Sequence, residues 1–316
     1  MVKKVIFDTD LGGDCDDVMA LDLLLAADRH HECELIGISY SSVDRTGIPC
    51  IHAILRQHGY AHLPLGRLTI PEGREPIDFY ATAVAEAFPD PDAPTYDSTP
   101  DAVRFLRSLL SQNDNVTLIV TGFLTNLANL LQSPPDDISP LDGVSLVKEK
   151  VDEIALMACD FRHLSGISPN ASDIREDGSL APQKEYNIML DIPAAQKTFA
   201  LCPVPIVCSP FELGFRMISG KPMVDHGAGN TPDSLSFIRY GAQNGRDSWD
   251  PATALYGVYG ARPWYYLSAP GTIRIDDNGI SDFSPQPDGL HRLLLAARTK
   301  EEIAAELDRL VMRLFE

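Results

Sequence analysis

The sequence predicts an α/β fold built on a parallel sheet. Two patterns point there: short, purely apolar runs that read as strands covered on both faces, and their repeated alternation with helix-length segments. A third is a dense acidic turn where the first apolar run meets the first helix. Open α/β sheets bind their ligands just past the carboxyl ends of strands, which is where this turn falls.

Taken in order, Val5 to Phe7 reads as a buried strand, and Val18 to Leu25 as a helix with a broad apolar face. Leu35 to Tyr40 reads as a second strand and Ile48 to His58 as a helix. Residues 66–100 are rich in Pro, Asp and Tyr and predict a long irregular connection with a short helix near Phe79 to Phe88. Asn115 to Thr121 is the clearest later strand, followed after Gly122 by a helix over Leu124 to Leu131. Ile154 to Ala158 and Pro205 to Cys208 supply two more strands. Residues 160–184 and 225–248 are polar and read as lid or binding loops. Thr299 and Glu302 make a capping-box pattern ahead of an amphipathic helix through Leu314. Neither a repeat nor a linker divides the chain, so residues 1–316 are expected to form one domain.

Composition mainly excludes partners. With 26 basic and 45 acidic residues the formal charge is −19, so neither a nucleic-acid backbone nor an anionic membrane would find a dominant positive surface. A small neutral substrate, or one whose charge a metal meets, fits better. The six cysteines are scattered without a CxxC pair, which predicts reduced thiols and a cytoplasmic setting. Cys15 alone lies in the acidic turn, with no base nearby to activate it. No secretory leader and no membrane-length apolar stretch is expected.

The chemistry concentrates in DTDLGGDCDD, which places Asp8, Asp10, Asp14, Asp16 and Asp17 within ten residues. Capping a helix needs one acid, and five would repel one another and raise each other's pKa. A hard, oxygen-loving cation, calcium or magnesium, removes that conflict. Asp8 and Asp10 are two apart at a strand end, so one can face the site while the other holds the turn. Asp16 and Asp17 begin the helix, where its dipole favours negative charge. Asp10 and one helix-start acid can then grip one cation from two elements.

Three later fragments add to this. In TGFLTN, Thr121 can cap a helix or offer its carbonyl to a cation. In EYN, Glu185 and Asn187 offer acceptors and donors suited to sugar hydroxyls, while Asp191 before Ile192-Pro193 reads as a structural cap. In SWDPA, Asp250 is a helix cap or a ligand, and Trp249 is core or the aromatic wall of a pocket. His226, Arg239 and Tyr240, in the polar stretch, are candidates to approach a leaving group and otherwise surface or packing residues.

In this order the fragments resemble the inosine–uridine nucleoside hydrolase family over Asp8 to Asp250. DTDLGGDCDD resembles its acid-rich DxDxGxDD signature with two residues added before the final pair, so Asp14 belongs to an expanded turn. TGFLTN resembles TGxLTN, EYN with DIPAA resembles EFN with DPEAA, and WDPA resembles the HDP element. The resemblance implies a Rossmann-like mixed, mainly parallel sheet flanked by helices, in a homodimer or homotetramer. It implies one calcium ion (Ca2+) held by Asp10, Asp17, Asp250 and the Thr121 carbonyl. Ribose would be held by Asp16, Glu185 and Asn187, Asp8 would support the turn, and Asp10 would be the base in hydrolysis of a ribonucleoside N-glycosidic bond. Three positions depart from the pattern: Trp249 replaces a histidine, Ser179 stands where an asparagine is usual, and so does Asp44. Trp249 cannot donate a proton but can stack on a large ring, which predicts a modest preference for purine nucleosides. Two alternatives remain: a non-catalytic nucleoside- or ribose-binding protein of the same fold, and a magnesium phosphatase with an Asp nucleophile.

Overall fold

The computed structural model describes residues 2–69, 73–165 and 174–316. Its strands are β1 (Lys3–Thr9), β2 (Cys33–Tyr40), β3 (Leu65–Arg67), β4 (Val116–Val120), β5 (Val151–Met157), β6 (Ile206–Ser209), β7 (Ile218–Ser219), β8 (Arg246–Asp247), β9 (Tyr265–Leu267), β10 (Gly271–Ile275), β11 (Ser281–Pro285) and β12 (His291–Ala296). The helices before β6 are α1 (Asp16–Arg29), α2 (Gly47–Gln57), α3 (Ala81–Ala87), α4 (Ala102–Gln112), α5 (Thr125–Leu131), α6 (Gly143–Lys150), α7 (Arg162–Ser165), α8 (Tyr186–Met189) and α9 (Ile192–Leu201). After β6 come α10 (Phe211–Gly214), α11 (Lys221–Gly227), α12 (Pro232–Tyr240), α13 (Trp249–Tyr259) and α14 (Lys300–Met312).

One sheet runs in the order β11-β10-β12-β6-β5-β4-β1-β2-β3, with β9 paired to β12. From β3 across to β12 the neighbours are parallel, and β9, β10 and β11 add antiparallel pairs at one side. The sheet is therefore mixed and mainly parallel, with helices on its faces. The inner strands are the purely apolar ones because both their faces are covered. Val5 and Phe7 of β1 join the layer that contains α1, α13 and α14, whereas Ile6 points the other way, to Leu118, Val120 and Leu127.

Strand order places the site. The chain passes from β1 outward to β2 and β3, then returns to β4 on the other side of β1 and continues to β5 and β6. Such a reversal opens a crevice at the carboxyl ends of the two diverging strands. Here those ends are the acidic turn after β1 and Thr121-Gly122 after β4. The Thr121 amide donates to the Asp8 carbonyl at 2.8 Å, drawing the turns together. A side chain at Gly122 would meet the Asp10 nitrogen at 2.6 Å, so only glycine allows this approach.

The regions read as irregular contain more structure than expected. Residues 225–248 are not one loop: they include the end of α11, all of α12 and β8. The buried face of α12 holds Asp233, Ser234 and Ser236 beside Phe237, so small polar residues hid its apolar periodicity. Its end signals were present, with Thr231 capping Ser234, Pro232 at the first turn and Gly241 at φ +93°. β3 overlaps the start of the 66–100 connection, and β9 to β12 form a partly exposed group joined by antiparallel pairs, with the apolar run Leu293 to Ala296 in β12. Of the polar stretch 160–184, residues 166–173 lie outside the described residues.

His291 starts β12, is buried, and accepts the Ile273 amide on Nδ1 at 2.8 Å. Burial lowers this imidazole from 6.5 to about 4. Between those values the unfolded chain binds a proton that the folded chain does not, so this group's contribution to stability falls as pH drops from about 6.5 to about 4. His291→Asn, which retains an acceptor but does not titrate, is expected to lose less stability than wild type between pH 7 and pH 4.5. Urea midpoints at the two pH values check this; equal losses would refute it.

Candidate active site in an acidic cleft

The acids of DTDLGGDCDD divide by direction. Asp8, still in β1, turns away from the crevice: its Oδ2 accepts from Ser39 Oγ and from Asn126 Nδ2 at 2.9 Å. It supports the floor of the turn, as alternation along a strand predicts. Asp10, just past β1, faces the cleft with Asp14, Asp16 and Asp17. Thr9 Oγ1 donates to Asp17 and accepts the Leu11 amide at 3.2 Å, which ties the strand end to the start of α1. Tyr80 braces the same loop, donating to the Asp14 carbonyl at 2.8 Å and accepting the Gly12 amide at 2.9 Å.

Asp250 joins from far along the chain because α13 begins against α1. Asp16 Oδ2 accepts the Trp249 and Asp250 amides, both at 3.0 Å, and so caps α13 from another helix. One carboxylate oxygen each from Asp16, Asp17 and Asp250 lies within 4.8 Å of the others. All three residues are buried, with 3 %, 2 % and 5 % exposure. Burial first, and neighbouring acids second, push the Asp10, Asp16 and Asp250 carboxyls well above the ordinary carboxylate range. An all-oxygen donor set of crowded, buried acids matches a hard divalent cation.

The opposite wall comes from α8. Glu185 caps that helix through the Asn187 and Ile188 amides at 3.0 and 3.1 Å, and also accepts the Cys159 amide at 3.4 Å. Burial nevertheless raises its carboxyl to about 7. Asn187 Nδ2 donates to the Thr121 carbonyl at 2.7 Å, joining the second and third sequence fragments directly. Asp191 caps α9 through the Ala194 amide and lies outside the cleft lining, as a structural cap should.

The cleft encloses about 390 Å³, and its lining includes Asp10, Asp16, Asp17, Thr121, Glu185, Asn187, Trp249 and Asp250. Trp249 is a wall: it stacks on Phe211 at 5.5 Å between centroids, and its Nε1 donates to the Phe211 carbonyl. Tyr240 also lines the cleft, packed edge-on to Phe79. His226 and Arg239 do not: both are exposed, and His226 packs against Phe315. They fail to reach because α11 and α12 replace the expected lid loop. Ser179 is exposed and donates to Asp177, and Asp44 holds Thr46; neither lines the cleft.

Sequence reasoning missed Arg246. It pairs with Asp14 at 2.6 Å while its guanidinium lies over the Trp249 and Tyr240 rings at 5.0 and 5.3 Å. Its sequence signal was faint, a lone arginine three residues before Trp249. Phe79, Tyr186 and Phe211 were missed as well, because single aromatics carry no spacing rule.

The inosine-uridine preferring nucleoside hydrolase family matches residues 5–256. The chain belongs to that family, and membership together with the acidic cluster supports a glycosidase mechanism of the nucleoside-hydrolase type. Similar solved structures include an inosine-uridine preferring nucleoside hydrolase from Bacillus anthracis, 18% identical over 99% of both chains with a TM-score of 0.68. A purine-preferring ribonucleoside hydrolase from Gardnerella vaginalis is 16% identical over 99% of this chain and 98% of that one, with a TM-score of 0.66. An inosine-guanosine nucleoside hydrolase is 17% identical over 98% of both, with a TM-score of 0.69. At such identities the likeness establishes the fold. No curated protein sequence matches the chain significantly. Among the described residues, no helix is long and apolar enough to cross a membrane.

Arg246 is the cation that the acidic turn holds closest, so its loss should be felt through Asp14. We expect Arg246→Met to destabilise the chain by about 2 kcal/mol and Asp14→Asn in that background to add little, a coupling of roughly 1–2 kcal/mol. Urea unfolding of the two single variants and the double variant measures it; additive losses would contradict the pairing.

Proposed function

We propose that this chain hydrolyses the N-glycosidic bond of ribonucleosides to ribose and free base, with calcium as its cation and a modest preference for purine nucleosides. The observation that carries this reading is the convergence of Asp10, Asp16, Asp17 and Asp250 with Glu185 and Asn187 in one cleft of about 390 Å³, a volume typical of small-molecule sites. The cation would be held by Asp10, Asp17, Asp250 and the Thr121 carbonyl, and would supply Lewis-acid activation of water and a template for the ribose diol. The same proposal takes residues 1–316 as one domain of a homodimer or homotetramer working in the cytoplasm. Six free, buried cysteines agree with a reducing compartment.

The side chains divide the work. Asp10 accepts a proton from the water that attacks C1′. Asp16 commits Oδ2 to the start of α13 and offers Oδ1 to a ribose hydroxyl. Glu185 and Asn187, fixed by α8 and by Thr121, meet the remaining ribose hydroxyls. As the bond to the base lengthens, positive charge gathers on the ribosyl ring, and the surrounding carboxylates offset it. The bonding pair leaves with the base nitrogen, and direct attack by water inverts the anomeric centre.

The base end is aromatic. Trp249 on Phe211 offers a stacking face, and of the three candidate donors from the polar stretch only Tyr240 lines the cleft. Its phenol is the group we assign to the leaving base. The replacement of histidine by Trp249 also favours a second reading, ligand binding without turnover.

Base release from inosine, adenosine, guanosine, uridine and cytidine in the presence of calcium tests the proposal. Faster purine release is expected; faster pyrimidine release would remove the preference alone, and no release with retained binding would select the second reading. Asp10→Asn is expected to lose at least a thousandfold in kcat while remaining folded, and near-normal kcat would move water activation to another residue. Matched 2′-deoxyribonucleosides should react at least a hundredfold more slowly in kcat/KM, because groups built for the 2′-hydroxyl are left unpaired. Comparable values would contradict the ribose roles of Asp16, Glu185 and Asn187.

A further inference from the structure

We propose that Asp22, His58 and Asp233 form a second metal site, for a divalent transition ion of the zinc class, which ties α1, α2 and α12 together. The three residues come from separate elements: the middle of α1, the residue that ends α2, and the first turn of α12. Asp22 and Asp233 are fully buried and His58 is 8 % exposed. One ligand atom from each lies within 4.8 Å of the other two. None of the three lines the acidic cleft, so the site stands apart from the proposed hydrolysis.

Two observations point to an ion rather than to a packing accident. The first is that both oxygens of Asp22 are buried without a hydrogen-bond partner. A buried carboxylate with no donor is costly, and two acids facing one imidazole leave net negative charge even when that imidazole is protonated. Arg29, the nearby guanidinium in α1, does not relieve it, because it donates instead to the His58 and Leu314 carbonyls. The second is spacing. Ligand atoms about 2.0–2.1 Å from a tetrahedral ion stand roughly 3.3 Å apart. His58 Nε2 is in hydrogen-bond contact with the Asp233 oxygens at 3.2 and 3.3 Å and lies 3.8 Å from Asp22 Oδ1, separations that also admit a tetrahedral ion. Asp22 Oδ1, 3.8 Å from the imidazole nitrogen, would move inward on binding.

The donor set chooses the class of ion. One imidazole nitrogen with two carboxylates suits zinc and its first-row neighbours, whereas calcium favours oxygen alone. The His58 ring is fixed by edge contact with Phe315, 5.3 Å between centroids. The position is also informative: α1 begins with Asp16 and Asp17, and α12 ends at Tyr240, so an ion here would brace two helices that shape the cleft from behind. The rival arrangement is a proton shared between Asp22 and Asp233. Burial and the facing Asp233 carboxylate do raise the Asp22 carboxyl well above its ordinary range, which either a proton or a cation would answer.

The test uses the full chain, stripped with chelator and then saturated with calcium. Titration with cobalt(II) is expected to bind one equivalent with visible d–d absorption, displaced by one equivalent of zinc, and zinc should raise Tm by several degrees. Asp250→Asn should retain this site, and both Asp22→Asn and His58→Gln should lose it. Independently of any variant, X-ray absorption of the zinc-loaded wild type should give a shell of one imidazole nitrogen with oxygens. No cobalt or zinc uptake by the wild type would overturn the proposal and leave the shared proton as the answer to the buried charge. Uptake that survives Asp22→Asn, uptake that vanishes in Asp250→Asn, or a zinc shell without imidazole would overturn it equally.

Discussion

Mutual repulsion among buried carboxylates at the end of β1 is the constraint on which the rest of the site depends. Asp10, Asp16, Asp17 and Asp250 are all nearly inaccessible to water, and each neighbour makes ionisation of the others harder. The fold answers with backbone. Both α1 and α13 start at this point, so two helix dipoles direct their positive ends at the acids. Asp16 takes two amides of α13, and Thr9 serves Asp17. These donors lessen the conflict without cancelling it, since the carboxyls stay shifted upward. What remains is a demand for positive charge that, under the proposed function, a cation would meet in the resting state and a developing oxocarbenium during reaction.

That demand explains the asymmetry of the cleft. Its acidic floor is over-determined: the turns after β1 and β4 and the starts of α1, α8 and α13 each contribute a residue, and hydrogen bonds link Thr121 to Asn187 and Asp16 to Asp250. The aromatic walls are joined by stacking and by guanidinium groups: Arg246, held between Asp14, Trp249 and Tyr240, and Arg162 over the Phe211 ring at 4.4 Å. Stacking tolerates different rings, whereas carboxylates at fixed separations tolerate little. Under the proposed function, the acidic end would take the constant sugar and the aromatic end the variable base.

Sequence patterns reveal the floor and conceal the walls for the same reason. Asp8 to Asp17 are contiguous, and Thr121, Glu185 and Asn187 sit at strand ends or short helix starts that local rules recognise. Asp250 is legible as a cap before Pro251, yet its partner Asp16 is 234 residues away, and only the packing of α13 on α1 joins them. Phe79, Phe211 and Arg246 have no local signature, because a wall is made by whichever side chains the tertiary fold brings there. In the scaffold, the inner parallel strands and α1, α2, α3, α5 and α14 follow from apolar periodicity and capping. The helix α12 and the strands β9 to β12 do not. The former buries serines and an aspartate; β9 is three residues long, β10 and β11 lack a continuous apolar run, and the apolar Leu293 to Ala296 of β12 is only partly buried.

α1 also shows why burial of an acid is not one phenomenon. At its first turn Asp16 and Asp17 have backbone amides, a threonine hydroxyl and the helix dipole to face. A turn and a half later Asp22 has none of these: its helix is already hydrogen-bonded, the dipole is spent within the first turn, and both its oxygens lack donors. An ordinary apolar residue would fill that position at no electrostatic cost. A carboxylate there, opposite His58 and Asp233 from two other helices, calls for either the proposed ion or a proton shared with Asp233. Asp16 and Asp17 can be rationalised partly by the chain's own backbone; Asp22 cannot, and the difference follows from position along one helix.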